Sequence, residues 1–222
     1  MSLRQPPAGP VLGLVLAAGA STRMGRPKQL AELDGRPLLA HVLRALDAAP
    51  VDAVAVALGA HAAEVAARVD LGAARPVVVA GWRRGMGHVL AAAVVAAADG
   101  FGAVVVLLGD QPLVSGAAVG RLVAAWRAGA GPVVTAAYGG RPGHPKLFDA
   151  SLLPALRRLD GDRGARGLLA ARPGAVRAVE VGDVSSDADV DDEAGLARVA
   201  RRLARASAAA TVPHPEPPRR RP

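Results

Sequence analysis

The sequence predicts an α/β fold, a three-layer sandwich with a mostly parallel sheet covered by helices on both faces. Strand-length apolar runs alternate with segments of helical spacing, the pattern of successive βαβ units. The strand runs are continuously apolar rather than alternating, as a sheet buried on both sides requires. Three polar motifs follow strand ends, where open α/β sheets bind their ligands.

Residues 1–10 (MSLRQPPAGP) read as a disordered arm. The run at 11–16 (VLGLVL) is a buried strand, and a loop follows to Lys28. Residues 37–48 have helical spacing, 52–58 (DAVAVAL) form a strand and 62–69 a helix. A short strand at 76–80 (PVVVA) precedes a helix at 87–98. Residues 103–108 (AVVVLL) form another buried strand, followed by a helix at 116–127 and a strand at 132–137. The pattern then changes. Residues 139–145 (GGRPGHP) read as a turn-rich loop, and 146–148 as a short, antiparallel strand. Helices are expected at 152–159 and 165–171, a late strand at 177–181 and a last helix at 192–206. Residues 207–222 (SAAATVPHPEPPRRRP) read as a disordered Pro/Arg-rich tail. One domain, residues 11–206, accounts for the rest.

At 222 residues with 51% hydrophobic content, the chain can bury a sizeable core. Aromatics are only 2%, so that core must be built from Ala, Val and Leu. Cysteine is absent, which excludes a disulfide framework, a thiol nucleophile and Cys-ligated metal sites. A reducing cytoplasm is the expected location. The apolar run near the N-terminus is strand-length and continues into a charged loop, so it reads as fold rather than signal peptide. No run reaches the roughly 18 apolar residues of a membrane helix. The net charge of +8 is partly supplied by Arg219, Arg220 and Arg221, with Arg201, Arg202 and Arg205 before them. Scattered aromatics offer no stacking platform, so nucleic acid is not the expected partner.

The first motif is LVLAAGASTRMGRPKQL, residues 14–30. Its apolar run, including Leu16, stops at Ala17-Ala18-Gly19. Gly19 and Gly25 let the backbone approach a ligand, and Arg23 and Lys28 add positive charge suited to phosphate. Among 27 Lys+Arg only Lys28 and Lys146 are lysines. The loop is neither a Walker A sequence nor the dinucleotide fingerprint. The second motif is LLGDQP at 107–112, where Asp110 ends a strand and is placed for Mg²⁺ or for capping a turn. The third is DADVDDEAGL at 187–196. Asp192 and Glu193 there fit a helix N-terminus. Asp189 and Asp191 share one side-chain direction, so either could face a site.

These residues resemble the molybdenum cofactor cytidylyltransferase group of nucleotidyltransferases, within the superfamily of the molybdopterin guanylyltransferases and sugar-nucleotide pyrophosphorylases. GWRRGMG (81–87), LLGDQPLV (107–114), GGRPGHPKLF (139–148), GDRGARGLL (161–169) and DVDDEAGL (189–196) resemble the later motifs of that group, in order. The resemblance covers residues 11–203. It implies a Rossmann-like, glycosyltransferase-A-type domain that moves CMP from CTP to a molybdopterin-type cofactor with Mg²⁺ and releases pyrophosphate. It implies that Arg23 and Lys28 hold the NTP phosphates. Leu16, Ala17, Ala18, Gly19, Gly85, Gly87 and His88 would line the nucleotide site. Asp110 and Asp191, or Asp189 in its place, would hold the metal, and Gly143, His144 and Pro145 would face the phosphorylated pterin. Handover to a molybdoenzyme or its chaperone is a further implied partnership. The chain departs from the group at His88 and Val89, where relatives carry small hydroxyl residues, which leaves GTP open as the donor. It departs also at Lys146 and at Asp192-Glu193, which replace a usual Thr-Pro. Three other readings stay open: an acceptor other than molybdopterin within the same superfamily, the oxidoreductase label that some relatives carry from nicotine degradation, and a non-catalytic cofactor-delivery module.

Overall fold

A computed structural model describes residues 7–210, with side chains to residue 205. Residues 1–6 of the expected arm and 211–222 of the expected tail lie outside the described residues. In chain order the elements are β1 (Val11–Ala17), β2 (Glu32–Leu33), β3 (Arg36–Pro37), α1 (Leu38–Asp47), β4 (Ala53–Leu58), α2 (Ala62–Arg68), β5 (Arg75–Val78), α3 (Met86–Ala97) and β6 (Ala103–Leu108). They continue with α4 (Gly116–Arg127), β7 (Val133–Tyr138), β8 (Arg141–Asp149), α5 (Leu153–Leu156), α6 (Arg166–Ala170), β9 (Val176–Glu180) and α7 (Glu193–Ala210).

Seven strands form one sheet in the order β5-β4-β1-β6-β8-β7-β9. Only β8 runs against the others, pairing antiparallel with both β6 and β7. The ends of β1 and β6 therefore lie side by side, Leu16 opposite Leu108. This is the expected mixed, mostly parallel sandwich. Val11, Val15, Val105 and Leu107 point to one face, where they meet Leu39, Val42 and Leu46 of α1 and Leu122 and Trp126 of α4. Leu12, Leu14, Val104 and Val106 point to the other, against Val89, Leu90 and Val94 of α3 and Leu153 and Leu156 of α5. Strand residues alternate between two apolar layers, which is why the strands read as unbroken apolar runs. The few aromatics are used as anchors: Trp126 is fully buried and its indole N–H donates to Asp149 at 2.9 Å, joining α4 to the end of β8.

Two local expectations are corrected. Residues 139–145 are not wholly a loop. The loop is only Gly139-Gly140, with φ of +59° and +77°, and β8 starts at Arg141. Two consecutive positive-φ residues make the tight turn whose twist matches a hairpin, and glycine enters it at least cost. A small hairpin, β2–β3, also sits between Lys28 and the first helix, a stretch given no element in the sequence, with Asp34 and Gly35 at φ of +50° and +69°. The last helix continues to Ala210, beyond the expected 206.

Candidate active site

The loop after β1 is held open by side chains that bond to its backbone. Gln29 is 2% exposed, and its amide N–H donates to the carbonyls of Ala17 at 2.7 Å and Gly19 at 3.3 Å. Ser21, at φ +56°, accepts the Lys28 backbone N–H at 3.0 Å on its hydroxyl, and its carbonyl accepts from Met24. The segment after Asp187 is pinned from below. Val190 is fully buried with Met24, Leu33 and Val199 in a third small core, and its N–H donates to the Asp110 carbonyl at 2.9 Å. The amide of buried Gln111 donates to the Asp187 carbonyl at 3.1 Å. These contacts bring three distant stretches of chain to one point.

At that point Lys28 Nζ lies 2.6 Å from Asp110 Oδ2 and 3.1 Å from Asp191 Oδ1, and Arg23 lies 2.9 Å from Asp191 Oδ2. Two cations and two carboxylates thus balance. Burial works to lower the Lys28 ammonium, but Asp110 and then Asp191 outweigh it and hold it above its ordinary value. Burial likewise works to raise Asp191, and Lys28 and Arg23 together hold it below the usual carboxylate range. Asp189 is exposed and makes none of these contacts, so Asp191 is the aspartate brought to the cluster. Asp192 instead accepts the Gly195 N–H at 2.7 Å as the cap of α7, and Glu193 pairs with Arg26 at 2.8 Å.

Lys28 and Asp110 of the cluster line a cleft of ≈ 400 Å³, in the range of small-molecule sites, whereas Arg23 and Asp191 are not on its lining. Leu16, Ala17, Ala18, Gly19 and Gly85 line it, as do Leu108 at the end of β6 and Gly109 just after it. Trp82, Arg83, Met86 and Asp162 also line it. Gly87 and His88 are not on its lining. The Gly87 N–H donates to the Gly161 carbonyl at 2.7 Å, and a Cβ there would sit 2.6 Å from the Asp160 carbonyl oxygen. The His88 imidazole packs on Gly81, with Nδ1 3.7 Å from Asp160. A second, more open cavity of ≈ 750 Å³ beside Tyr138 and Arg202 contains none of the clustered groups.

Gly143, His144 and Pro145 are brought to β8, and none of them lines the cleft. The Gly143 carbonyl accepts from Thr135 at 2.8 Å and from Lys146 Nζ at 2.6 Å. The His144 carbonyl accepts from the Tyr138 hydroxyl at 2.7 Å. Burial, then Lys146 and Arg166, push the His144 imidazole down to about 3; burial, then Arg166, push Lys146 down to about 8. Gln29, Gln111, Ser21 and Arg166 were not singled out in the sequence. PKQL and GDQP contain the two glutamines, yet nothing in a lone glutamine tells which carbonyl it will face.

The residues fit a divalent cation. Asp110 Oδ1 is buried with no hydrogen-bond partner, so a carboxylate oxygen is left over for a ligand. Among the described residues no group of three or more His, Cys, Asp or Glu side chains could hold a metal. Mg²⁺ is commonly bound through only one or two carboxylates plus substrate phosphates, and Asp110 and Asp191 supply that donor set.

A family model described as "MobA-like NTP transferase domain" matches residues 13–177. Among curated relatives, nicotine blue oxidoreductase of Paenarthrobacter nicotinovorans is 38% identical over 190 residues, spanning 82% of this chain and 92% of the relative. Among solved structures, a homologue of Mycobacterium tuberculosis Rv0371c from Mycobacterium sp. strain JC1 aligns with a TM-score of 0.78 at 32% identity, covering 88% of this chain and 98% of that one. The complex of Rv0371c from Mycobacterium tuberculosis H37Rv with manganese aligns at 0.73 and 30% identity, covering 86% and 98%. Among the described residues no helix is long and apolar enough to cross a membrane.

Proposed function

The chain belongs to the MobA-like NTP transferase domain family and is a nucleotidyltransferase of that superfamily; from this premise we propose that it transfers CMP from CTP to the phosphate of a pterin-type molybdenum cofactor and releases pyrophosphate. The proposed catalytic unit is residues 11–206. The observation that carries the transfer chemistry is the convergence of Lys28, Arg23, Asp110 and Asp191 on one point, from which Lys28 and Asp110 line the cleft. The preference for CTP and for the pterin acceptor rests on the motif resemblance.

Asp110 and Asp191 would hold Mg²⁺, which when bound neutralises triphosphate charge and favours departure of pyrophosphate. Lys28 and Arg23 then exchange their carboxylate partners for phosphate oxygens. Gly19 and the loop held by Gln29 leave the backbone open to the nucleotide, and Leu16, Ala18 and Gly85 form the nucleoside side of the cleft. A phosphate oxygen of the acceptor attacks the α-phosphorus, and the bond from that phosphorus to the β-phosphate oxygen breaks. The nucleophile is already an anion, so no general base is required. Rate enhancement comes from positioning and from cations preset where charge shifts.

The test is pyrophosphate release by the full chain with each NTP, Mg²⁺ or Mn²⁺ and molybdopterin-type cofactor. Release with CTP supports the reading, release with GTP alone reassigns the donor, and nucleotide binding without turnover would identify a delivery module. A second reading, an oxidoreductase, is favoured only by the name of the 38%-identical relative. Hydride transfer would need a dinucleotide site, and the turn after β1 reads AAGASTR rather than G-x-G-x-x-G. Oxidation of a reduced nicotinamide by the protein, followed by absorbance, would favour that second reading.

A further inference from the structure

We infer, resting on the nucleotidyl-transfer reading, that Asp162 selects the nucleobase. Its carboxylate accepts a hydrogen bond from an exocyclic amino group, which favours cytosine or guanine over uracil.

The lining of the cleft divides into two groups. Gly19, Lys28, Gly109 and Asp110 follow the ends of β1 and β6. Trp82, Arg83, Gly85, Met86 and Val89 belong to the entry of α3, and Asp162 to the loop before α6. With the triphosphate held at Lys28, the base falls to the second group, where Trp82, Met86 and Val89 offer apolar surface to a planar ring. The charges differ as well. Asp110 and Asp162 are the carboxylates on the lining among the described residues. Asp110 is bound to Lys28 at 2.6 Å, whereas Asp162 takes part in no salt bridge. Arg83 is turned to Trp82, its guanidinium 4.4 Å from the ring centroid.

Asp162 is exposed to a ligand yet presented by a fastened loop. Asp160 pairs with Arg84 at 2.6 Å, and the Gly161 carbonyl accepts the Gly87 N–H at 2.7 Å. Gly164 packs on Met86, where a Cβ would lie 3.2 Å from its Sδ. Residues 160–164 thus wrap the turn into α3, and Asp162 Oδ1 rests against Gly85, where any Cβ would collide with it. The missing side chain at Gly85 is what lets the carboxylate reach the cleft.

An ionised carboxylate only accepts hydrogen bonds. Cytosine and uracil match in size but differ at one edge, an amino group in the first and a carbonyl oxygen in the second. A carboxylate accepts from the amino group and repels the oxygen, so one residue both attracts one base and rejects the other. Guanine presents its amino group beside a ring N–H, a pair that both carboxylate oxygens can take.

The experiment is calorimetric titration of the full chain with Mg²⁺ and CTP, GTP or UTP, with no acceptor present. The tighter of CTP and GTP is expected to bind about tenfold or more better than UTP, and Asp162→Ala should lose most of that preference. UTP affinity unchanged in the variant shows that it folds. Asp162→Asn, whose amide offers an acceptor or a donor, should bind CTP and UTP about equally. A preference over UTP that persists in both variants would overturn the inference, as would equal binding of all three nucleotides by the unaltered chain. Equal weakening of CTP and UTP, with 2′-deoxy CTP unaffected, would overturn it too, since the carboxylate would then serve the ribose. Failure of every nucleotide to bind the unaltered chain would instead sink the nucleotidyl-transfer reading.

Discussion

At the scale of single residues, the cluster of Lys28, Asp110 and Asp191 divides labour in a way that substitutions can separate. Lys28→Ala and Asp110→Ala should each lower pyrophosphate release by about 10²–10³-fold, as loss of a preset charge at a reacting phosphate does, with circular dichroism unchanged. Normal turnover in both would reject the mechanism. Asp191→Asn should raise the metal concentration needed for half-maximal activity, whereas Asp189→Asn should not, because Asp189 is exposed and makes no contact with the cluster; the opposite ranking would exchange the two aspartates. Arg23, Lys28 and Asp110 were legible in the sequence because charged residues in a glycine-containing loop and at a strand tip have few structural uses. Gln29 and Gln111 were not. A buried glutamine acquires its task from carbonyls that only the folded loop presents, here those of Ala17 and Gly19 for one and Asp187 for the other.

At the scale of elements, the start of α7 separates stability from metal binding. Asp192 caps the helix through the Gly195 N–H. Asp192→Ala should therefore cost about 1 kcal/mol, read from the denaturant midpoint, and leave the metal requirement unmoved. The turn into α3 makes a second case. Gly85 has φ of +106°, and a Cβ there would meet the Asp162 carboxylate and come within 2.5 Å of the Gly161 carbonyl carbon. Gly85→Ala should cost about 1–3 kcal/mol and shift the neighbouring cleft wall, weakening nucleotide affinity in titration. Most helices and strands were readable because each is long and uniformly apolar on its buried side. The start of β8 was not, because its prolines and glycines resemble a loop. The signal that would have found it was Gly139-Gly140 between two strand-forming runs, just as Asp34-Gly35 marks the β2–β3 hairpin.

For the whole molecule, the sandwich followed from alternation alone, but the strand order and the single reversed strand did not, because pairing depends on contacts between residues far apart in the chain. The two-faced core also sets an acid limit. Burial of His144, then the charges of Lys146 and Arg166, hold its folded value at about 3, far below the ordinary 6.5. The unfolded chain therefore binds a proton that the folded one refuses. Stability from this source is fully present above pH 6.5, falls as pH drops below it, and is lost by about pH 3, a change on the order of a few kcal/mol. His144→Gln should flatten that limb in urea midpoints measured across it, while the loss tied to Asp191, held below the usual carboxylate range, remains at lower pH. The reversed strand has a further consequence. β8 is laddered on both edges, whereas the loop from Gly19 to Lys28 hangs from a few side-chain bonds. Backbone amides of residues 146–148 should thus exchange with deuterated water far more slowly than those of 19–27. On the proposed reading the nucleotide meets a yielding clasp hung beside a rigid sheet, and the clasp would have to open for each turnover.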